Sequence, residues 1–260
     1  MEWSDRYGRA PVLALDTSTH VASVAVLGPE CDETAEGRAA SRSDDLIPLI
    51  DRALASAGVA LGQLAAIAVG AGPGSFTGLR IGMATAKGLC FAAGLPMWTA
   101  SSLAAHALDA AAVDPLDGAL VVPVFDARRG ELCAGFFRVS GGAAESLAAE
   151  QIAEPAALAD LVADVLQRSR LGRAVLIGET PATESAARAG AGELLARARI
   201  TPSARSIARL ALAGARDDML RTGTPVYIRP SAAETTFPDG NRGSRLLDAP
   251  GSPSGSIEKK

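Results

Sequence analysis

The sequence VLALDTSTHVASVAVL, residues 12–27, predicts the first structural unit of the chain. Two apolar runs of strand length, 12–15 and 21–27, flank a polar connection that begins at Asp16, and so short a connection predicts a hairpin. The same order of strand, aspartate, turn and strand returns in residues 120–139, where Asp126 follows the first apolar run. This repeat predicts two lobes built on one plan.

Helices are predicted between and after these strands, from apolar residues at helical spacing and from capping residues at the ends. The predicted helices are 44–57, 77–93, 101–112, 155–168 and 203–222, and further strands are predicted at 33–40, 64–69 and 174–177. Strands that alternate with helices indicate an α/β fold. We expect an N-terminal extension at 1–11, a first lobe at 12–112, a second lobe at 113–230 and a disordered tail at 231–260.

The composition excludes several classes of protein. The formal net charge is −4, which argues against a stand-alone nucleic-acid binder because such affinity comes mainly from neutralised phosphates. No apolar run approaches the roughly 20 residues of a membrane span, and the first residues lack the layout of a secretory signal, so we expect a cytoplasmic protein. Cys31, Cys90 and Cys133 form no CxxC pair and are interpreted as small buried apolar residues.

The sequence GAGPGSFTGLR, residues 70–80, is the most unusual stretch. A glycine loop between a strand and a helix can bind phosphate through its backbone N–H groups. Here no Lys-Ser or Lys-Thr follows the last glycine, the spacing differs from the dinucleotide-binding pattern, and Pro73 removes one donor. A packing role is therefore favoured over phosphate binding.

The glycines continue into the predicted helix 77–93. Gly78, Gly82 and Ala86 are spaced by four and form one stripe with almost no side-chain bulk. Each glycine inside a helix costs about 1 kcal/mol relative to alanine, so the stripe predicts a close contact. Two interpretations stay open: packing within the same domain, and contact with a partner.

The polar turns after the two predicted strands are candidate nucleotide-binding sites, because actin-like ATPases hold phosphate at such a hairpin. The first turn contains no glycine, and an aspartate at a hairpin turn is more often an Asx turn. We therefore interpret these residues at most as a vestigial nucleotide site, formed by Asp16, Thr17, Ser18, Thr19 and Asp126. Arg128 and Arg129 are interpreted as solvated turn charges.

The two histidines, His20 and His106, fit no metal or catalytic motif. They cannot form HExxH, and no GxSxG sequence supports a serine nucleophile. Each is interpreted as a surface or capping histidine. The sequence predicts no metal site, no cofactor and no catalytic residue.

Five stretches, in the same order, resemble the TsaB (YeaZ) family: LALDTST at 13–19, IAVGAGPGSFTGLRIG at 67–82, SSL at 101–103, DARRGE at 126–131 and PVYIR at 225–229. The GPGSFTGLR block is highly specific, and the five stretches together extend over most of residues 12–230. The resemblance implies an actin-like ATPase fold of the ASKHA, RNase H-like type, with a mixed sheet flanked by helices in each of two lobes.

The resemblance also implies a function. Members of the family are non-catalytic subunits that bind TsaD, which transfers threonylcarbamoyl to give N6-threonylcarbamoyladenosine at position 37 of tRNAs reading codons that begin with adenine. It further implies TsaE, an ATPase, as a partner in a larger complex, a homodimer through the same helices, and indirect contact with tRNA. A metalloprotease is not expected, since the two histidines form no pair.

In the family, the pairing surface comes from the first two helices, here 44–57 and 77–93. The implied partner and dimer interface contains Leu46, Leu49, Ile50, Phe76, Gly78, Leu79, Gly82, Met83 and Ala86. The alternative that stays open is an ATP-dependent phosphotransferase or hydrolase of the actin-like fold, which would bind nucleotide at residues 16–19 and Asp126.

Overall fold

The computed structural model describes residues 10–38, 46–178, 181–195, 201–214 and 217–228. Most of the predicted N-terminal extension, the start of the predicted helix 44–57 and the whole predicted tail 231–260 lie outside these ranges. Among the described residues, no helix combines the length and the apolar character needed to cross a membrane.

The first sheet contains β1 (Val12–Asp16), β2 (Val21–Leu27), β3 (Asp32–Arg38), β4 (Ala66–Gly70) and β5 (Met97–Ala100). Its strand order is β3-β2-β1-β4-β5. β1 and β2 form the predicted hairpin, in which Val12 pairs with Leu27 and Asp16 with Ser23. β3 is antiparallel to β2, whereas β4 is parallel to both β1 and β5.

The second sheet contains β6 (Ala119–Asp126), β7 (Leu132–Ser140), β8 (Ala143–Ala153), β9 (Arg173–Ile177) and β10 (Glu193–Leu194). Its order is β10-β9-β6-β7-β8, with β6, β7 and β8 antiparallel and with β9 parallel to β6 and β10. Each strand has a counterpart in the first sheet, with β6 corresponding to β1 and β7 to β2. The predicted repeat and the α/β class are therefore confirmed.

Six α-helices flank the two sheets in the described ranges. They are α1 (Leu46–Ala57), α2 (Phe76–Ala93), α3 (Ser102–Ala111), α4 (Pro155–Ser169), α5 (Pro181–Arg188) and α6 (Ala204–Ala213). α2 begins after the N-cap Ser75, whose side chain accepts the N–H of Gly78, and ends at Gly94 in the left-handed conformation with φ 67°. The predicted helices 44–57 and 77–93 thus agree with α1 and α2.

The first sheet is covered on both faces. Leu13 and Leu15 of β1 belong to the core formed with α1 and α2, whereas Val12 and Ala14 belong to the core formed with α6. This alternation follows from the strand, in which successive side chains point to opposite faces. The small alanines on the α6 side let that helix approach the sheet closely.

Two helices cover a sheet other than the one expected from their place in the chain. α3 lies in the predicted first lobe but packs on β6 and β7 of the second sheet, through Leu103, Ala107 and neighbouring residues. α6 lies in the predicted second lobe but packs on β1, β2 and β4. The described residues up to Ile228 belong to one compact unit. The division into two lobes at residue 112 therefore stays a prediction. A boundary at that residue would separate α3 and α6 from the sheets on which they pack.

The predicted helix 203–222 is wrong in its second half. α6 ends at Ala213, and residues 217–228 form turns and an extended connection. Tertiary hydrogen bonds hold this connection, because the side chain of Asp218 accepts the N–H of Met97 and the N–H of Met219 donates to the carbonyl of Met97. The sequence also failed to predict β5, β8, β10 and α5.

Candidate functional site

Gly78 and Gly82 of α2 lie against the turn between β1 and β2. The hydroxyl of Thr17 donates to the carbonyl oxygen of Gly78 at 2.8 Å. A Cβ atom on Gly78 would lie less than 3.0 Å from the carbonyl oxygen of Thr17, and one on Gly82 less than 3.0 Å from the Thr17 hydroxyl. The close contact predicted from these glycines is therefore made inside the chain.

Asp16 fixes the conformation of this turn. Its carboxylate is completely buried, and one oxygen accepts the N–H of Ser18 at 2.9 Å and the Ser18 hydroxyl at 2.6 Å. The other oxygen accepts the hydroxyl of Ser102 at 2.6 Å and lies against Gly70, where a Cβ atom would collide with it. Burial raises the pKa of Asp16, and the hydrogen bonds from Ser102 and Ser18 oppose this rise. The prediction of an Asx turn is confirmed.

The glycine loop before α2 contacts the same turn. The N–H of Ser75 donates to the carbonyl of Ser18 at 2.6 Å, and a Cβ atom on Gly74 would collide with that carbonyl. The N–H of Ser102 donates to Gly72, and the N–H of Val226 donates to Ala71. Of the loop N–H groups that a phosphate would need, those of Ala71 and Ser75 form hydrogen bonds within the chain, to Ala100 and Ser18.

Asp126 occupies the equivalent position at the end of β6, in a different environment. Its side chain is exposed and accepts the N–H of Arg128 at 2.7 Å, so this turn is also an Asx turn. The hydrogen bonds of the described residues do not join Asp126 to Asp16. Thr19, the last residue of the predicted vestigial site, exchanges hydrogen bonds with the backbone of Val21.

The predicted interface residues are mostly part of the core. Leu46, Leu49, Ile50, Leu79, Gly82, Met83 and Ala86 are buried, and Gly78 is half-buried. Most of these apolar side chains pack on Leu13, Leu15 and the same face of β2 and β4. The prediction that they form an exposed surface is therefore wrong, because the first sheet needs this face of α1 and α2 as its cover. Of the predicted residues only Phe76 is exposed, by 38%.

The exposed face of α2 carries a different stripe, which we call the outer stripe. It consists of Phe76, Arg80, Ala84, Gly88 and Phe91, at spacings of three or four residues. The side chain of Phe91 is 85% exposed, and a Cβ atom on Gly88 would meet no atom of the described residues within 4 Å. The outer stripe is thus flat in the middle and has an aromatic residue at each end.

Tyr227 packs at the first end of the outer stripe. The Nε of Arg80 donates to the Tyr227 hydroxyl at 3.1 Å, and its guanidinium lies 3.9 Å from the centre of the Phe76 ring. The centres of the Phe76 and Tyr227 rings are 5.0 Å apart. The segment 217–228 is therefore held against the start of α2, and Val226 beside it is half-exposed.

Two further carboxyl groups, the buried Asp109 and the half-buried Glu150, were not predicted. Asp109 of α3 accepts hydrogen bonds from the hydroxyls of Ser203 and Ser206 and from the N–H of Ser203, which joins α3 to the start of α6. Glu150 of β8 accepts the hydroxyl of Ser101, the N-cap of α3. Burial raises the pKa of both carboxyl groups.

The histidine interpretation needs one correction. His20 is exposed, but His106 is buried on α3 and stacks on Phe125 with ring centres 5.5 Å apart. α3 is buried along most of its length between the second sheet and α6. His106, in the middle of this helix, therefore does not face solvent. In the described ranges, His, Cys, Asp and Glu side chains form no cluster of three that could hold a metal ion.

Comparison with known proteins identifies the family. The sequence model of the family described as "TsaD: tRNA N6-adenosine threonylcarbamoyltransferase" matches residues 38–209. The tRNA threonylcarbamoyladenosine biosynthesis protein TsaB of Haemophilus influenzae is 43% identical over 123 residues, which cover 46% of this chain and 51% of that protein. TsaB of Bacillus subtilis is 32% identical over 142 residues, covering 54% and 60%. This chain therefore spans about half the length of the curated relatives that it matches.

Solved structures agree in fold along nearly their whole length. YeaZ of Pseudomonas aeruginosa is 27% identical, with a TM-score of 0.67, and the match covers 84% of this chain and 99% of that one. An uncharacterized P. aeruginosa protein with similarity to peptidase YeaZ gives 28% identity and a TM-score of 0.70, with 85% and 100% covered. The predicted fold class is confirmed. Because the family model matches more than half of the chain, and because its relatives include TsaB and YeaZ proteins, the chain belongs to this family and to its TsaB/YeaZ branch.

Proposed function

We propose that the chain is a non-catalytic cytoplasmic subunit that binds a TsaD-type protein. The pair forms N6-threonylcarbamoyladenosine at position 37 of tRNAs that read codons beginning with adenine. The names of its TsaB relatives, as tRNA threonylcarbamoyladenosine biosynthesis proteins, support this assignment. A TsaE-type ATPase joins the pair in a larger complex, and a homodimer through the same surface forms when the partner is absent.

The observation that carries the pairing is the outer stripe of α2. An aromatic side chain as exposed as Phe91 gains about 1.5–3 kcal/mol when it is fully buried. Gly88 costs about 1 kcal/mol relative to alanine in a helix, and no contact with the described residues requires a glycine there. A partner helix that approaches Gly88 closely would account for both residues.

The first end of the outer stripe contains the residue types that are common at the centre of protein interfaces. Aromatic residues and arginine are enriched where binding energy is concentrated, and Phe76, Arg80 and Tyr227 already form one packed cluster. Since this cluster is ordered within the chain, binding loses little side-chain entropy there. The proposed pairing surface is therefore the outer stripe together with Tyr227.

The environment of Asp16 supports a subunit without catalysis of its own. A nucleotide at this turn would need the backbone N–H groups of the glycine loop, and the N–H of Ser75 is bound to Ser18. It would also meet a buried carboxyl group whose hydrogen-bond donors are two serine side chains and a backbone N–H. The alternative of an ATP-dependent phosphotransferase or hydrolase would require this turn to open.

The pairing is tested with Phe91→Asp, using Val113→Asp as the matched control. Val113 is 54% exposed, lies outside the outer stripe and undergoes the same change from an apolar to a charged side chain. We expect Phe91→Asp to weaken binding to the TsaD-type protein of the same organism by about 30-fold or more, the effect of losing an aromatic interface residue worth about 2 kcal/mol. Calorimetry measures the affinity, and reconstituted tRNA modification measures the activity.

Val113→Asp should bind and support modification like the unchanged chain. Equal affinities for all three proteins would remove the outer stripe from the interface. Full modification in the absence of this chain would contradict the proposed function itself.

A further inference from the structure

The turn between β6 and β7 has an unusual backbone for its sequence. Arg128 and Arg129 have φ angles of 68° and 58°, and Gly130 follows with 80°. Glycine, asparagine and aspartate adopt this left-handed conformation readily, whereas a side chain such as arginine is disfavoured in it. The N–H of Glu131 donates to the carbonyl of Arg128 at 3.1 Å, which closes a tight turn around Arg129 and Gly130. The backbone would thus favour residues other than these two arginines.

The guanidinium groups of the turn are not used within the described chain. Arg128 and Arg129 are exposed, and the ion pairs found among the described residues include neither of them. The carboxylate of Asp126 instead accepts the backbone N–H of Arg128. In the described ranges, five other arginines do form ion pairs with carboxylates: Arg138, Arg168, Arg173, Arg188 and Arg205. Residues held in a disfavoured conformation at an exposed turn indicate a role outside the folding of the turn.

We propose that Arg128 and Arg129 bind phosphate groups of the tRNA, so that this chain contacts the RNA directly. The inference rests on the proposed function, which makes tRNA the polyanion that the complex must hold. A guanidinium binds phosphate through two parallel hydrogen bonds, which lysine cannot form. Two phosphate contacts agree with a chain whose net charge is −4, because the partner then supplies most of the affinity for RNA.

The test replaces both arginines in the double variant Arg128→Asn and Arg129→Asn. Asparagine tolerates the left-handed conformation, so the turn is retained. The matched control is Arg168→Asn with Arg188→Asn, which removes the same two charges from exposed ion pairs on α4 and α5. The probe is a tRNA that reads codons beginning with adenine, titrated at several salt concentrations against the free chain and against its pair with the TsaD-type protein.

We expect the turn variant to bind this tRNA about tenfold more weakly at low salt. The slope of log affinity against log salt concentration should fall by about 1–2, since each lost phosphate contact removes close to one unit. The control variant should keep the slope of the unchanged chain. The thermal unfolding midpoint of the turn variant should equal or exceed that of the unchanged chain. If the two arginines only stabilised the turn, their replacement would lower this midpoint.

Three results would overturn the inference or separate it from the proposed function. Equal slopes for the turn variant, the control and the unchanged chain would overturn it, while pair formation in the same samples would still support the proposed function. Loss of binding to poly-glutamate without loss of tRNA binding would assign the arginines to an acidic protein instead. Failure of the unchanged chain to pair would refute the proposed function, and the titration of the free chain would then decide on the arginines separately.

Discussion

The two faces of α2 contain similar residues and differ in what they contact. On the inner face, a Cβ atom on Gly82 would collide with the hydroxyl of Thr17. On the outer face, a Cβ atom on Gly88 would have no neighbour within 4 Å in the described ranges. Both glycines cost about 1 kcal/mol relative to alanine in the helix. Of these two glycines, Gly82 alone has its cost offset by a contact with the described part of the chain.

The apolar residues of α2 follow the same division. Met83 belongs to the core over the first sheet and Leu79 is buried against Gly72, whereas Phe76 and Phe91 face outward. The inner face therefore stabilises the fold, and the outer face remains for the proposed partner. A glycine in a helix therefore does not by itself show whether it contacts its own chain or a partner, and the neighbouring atoms decide this.

The largest effect on stability is expected at the inner face. Gly82→Ala places a methyl group against the buried side chain of Thr17, which has no room to move because its hydroxyl bonds to Gly78. We expect the free energy of unfolding to fall by about 2–3 kcal/mol, as overpacking of a core does. Urea unfolding followed by circular dichroism measures the change.

Gly88→Ala is the control for this prediction, since it makes the same change on the outer face of the same helix. It should leave the free energy of unfolding unchanged or raise it by up to about 1 kcal/mol. Equal losses at both positions would show that the two faces do not differ as described.

A smaller, pH-dependent effect is expected at Asp16, which holds the turn against the inner face. Its pKa is raised by burial, so its contribution to stability is complete below the pKa of the unfolded chain and is lost as pH rises through the folded pKa. Asp16→Asn removes this dependence. The stability of the variant relative to the unchanged chain should therefore improve as pH rises above about 4, the ordinary pKa of aspartate in an unfolded chain.

Urea unfolding at several pH values measures this difference, and Asp126→Asn at the exposed, equivalent turn is the matched control. A relative stability of Asp16→Asn that stays constant or declines as pH rises would contradict the buried, protonation-favouring environment of Asp16.

Much of the fold could be predicted from the sequence, because local signals and tertiary packing agree there. In the hairpin at residues 12–27 and in its repeat at 120–139, two apolar runs of strand length flank a short polar turn, and the two runs pair as antiparallel strands. β8 was missed because its sequence AAESLAAEQIA is rich in alanine and glutamate, which favour helices, and only its pairing with β7 makes it a strand. The predicted end of the last helix failed because the contacts of Asp218 are distant in sequence.

The candidate site was predictable only in its local parts. The Asx turns at Asp16 and Asp126 depend on residues two positions apart, which the sequence displays directly. The choice of the functional face of α2 depends on which side meets the first sheet. Because apolar residues such as Leu79 and Phe91 lie on both sides of the helix, the sequence did not determine that choice.

The most direct test of this account is the Gly88→Leu variant, with its stability and its pairing measured on the same sample. The described residues leave open space at position 88, so we expect a folded chain whose free energy of unfolding is unchanged or higher by up to about 1 kcal/mol. Binding to the TsaD-type protein should weaken by about tenfold or more, because the side chain blocks the close approach of a partner helix, and about 1.4 kcal/mol gives that factor. A folded Gly88→Leu chain that binds its partner with undiminished affinity would contradict the claim that the outer face of α2 is the pairing surface.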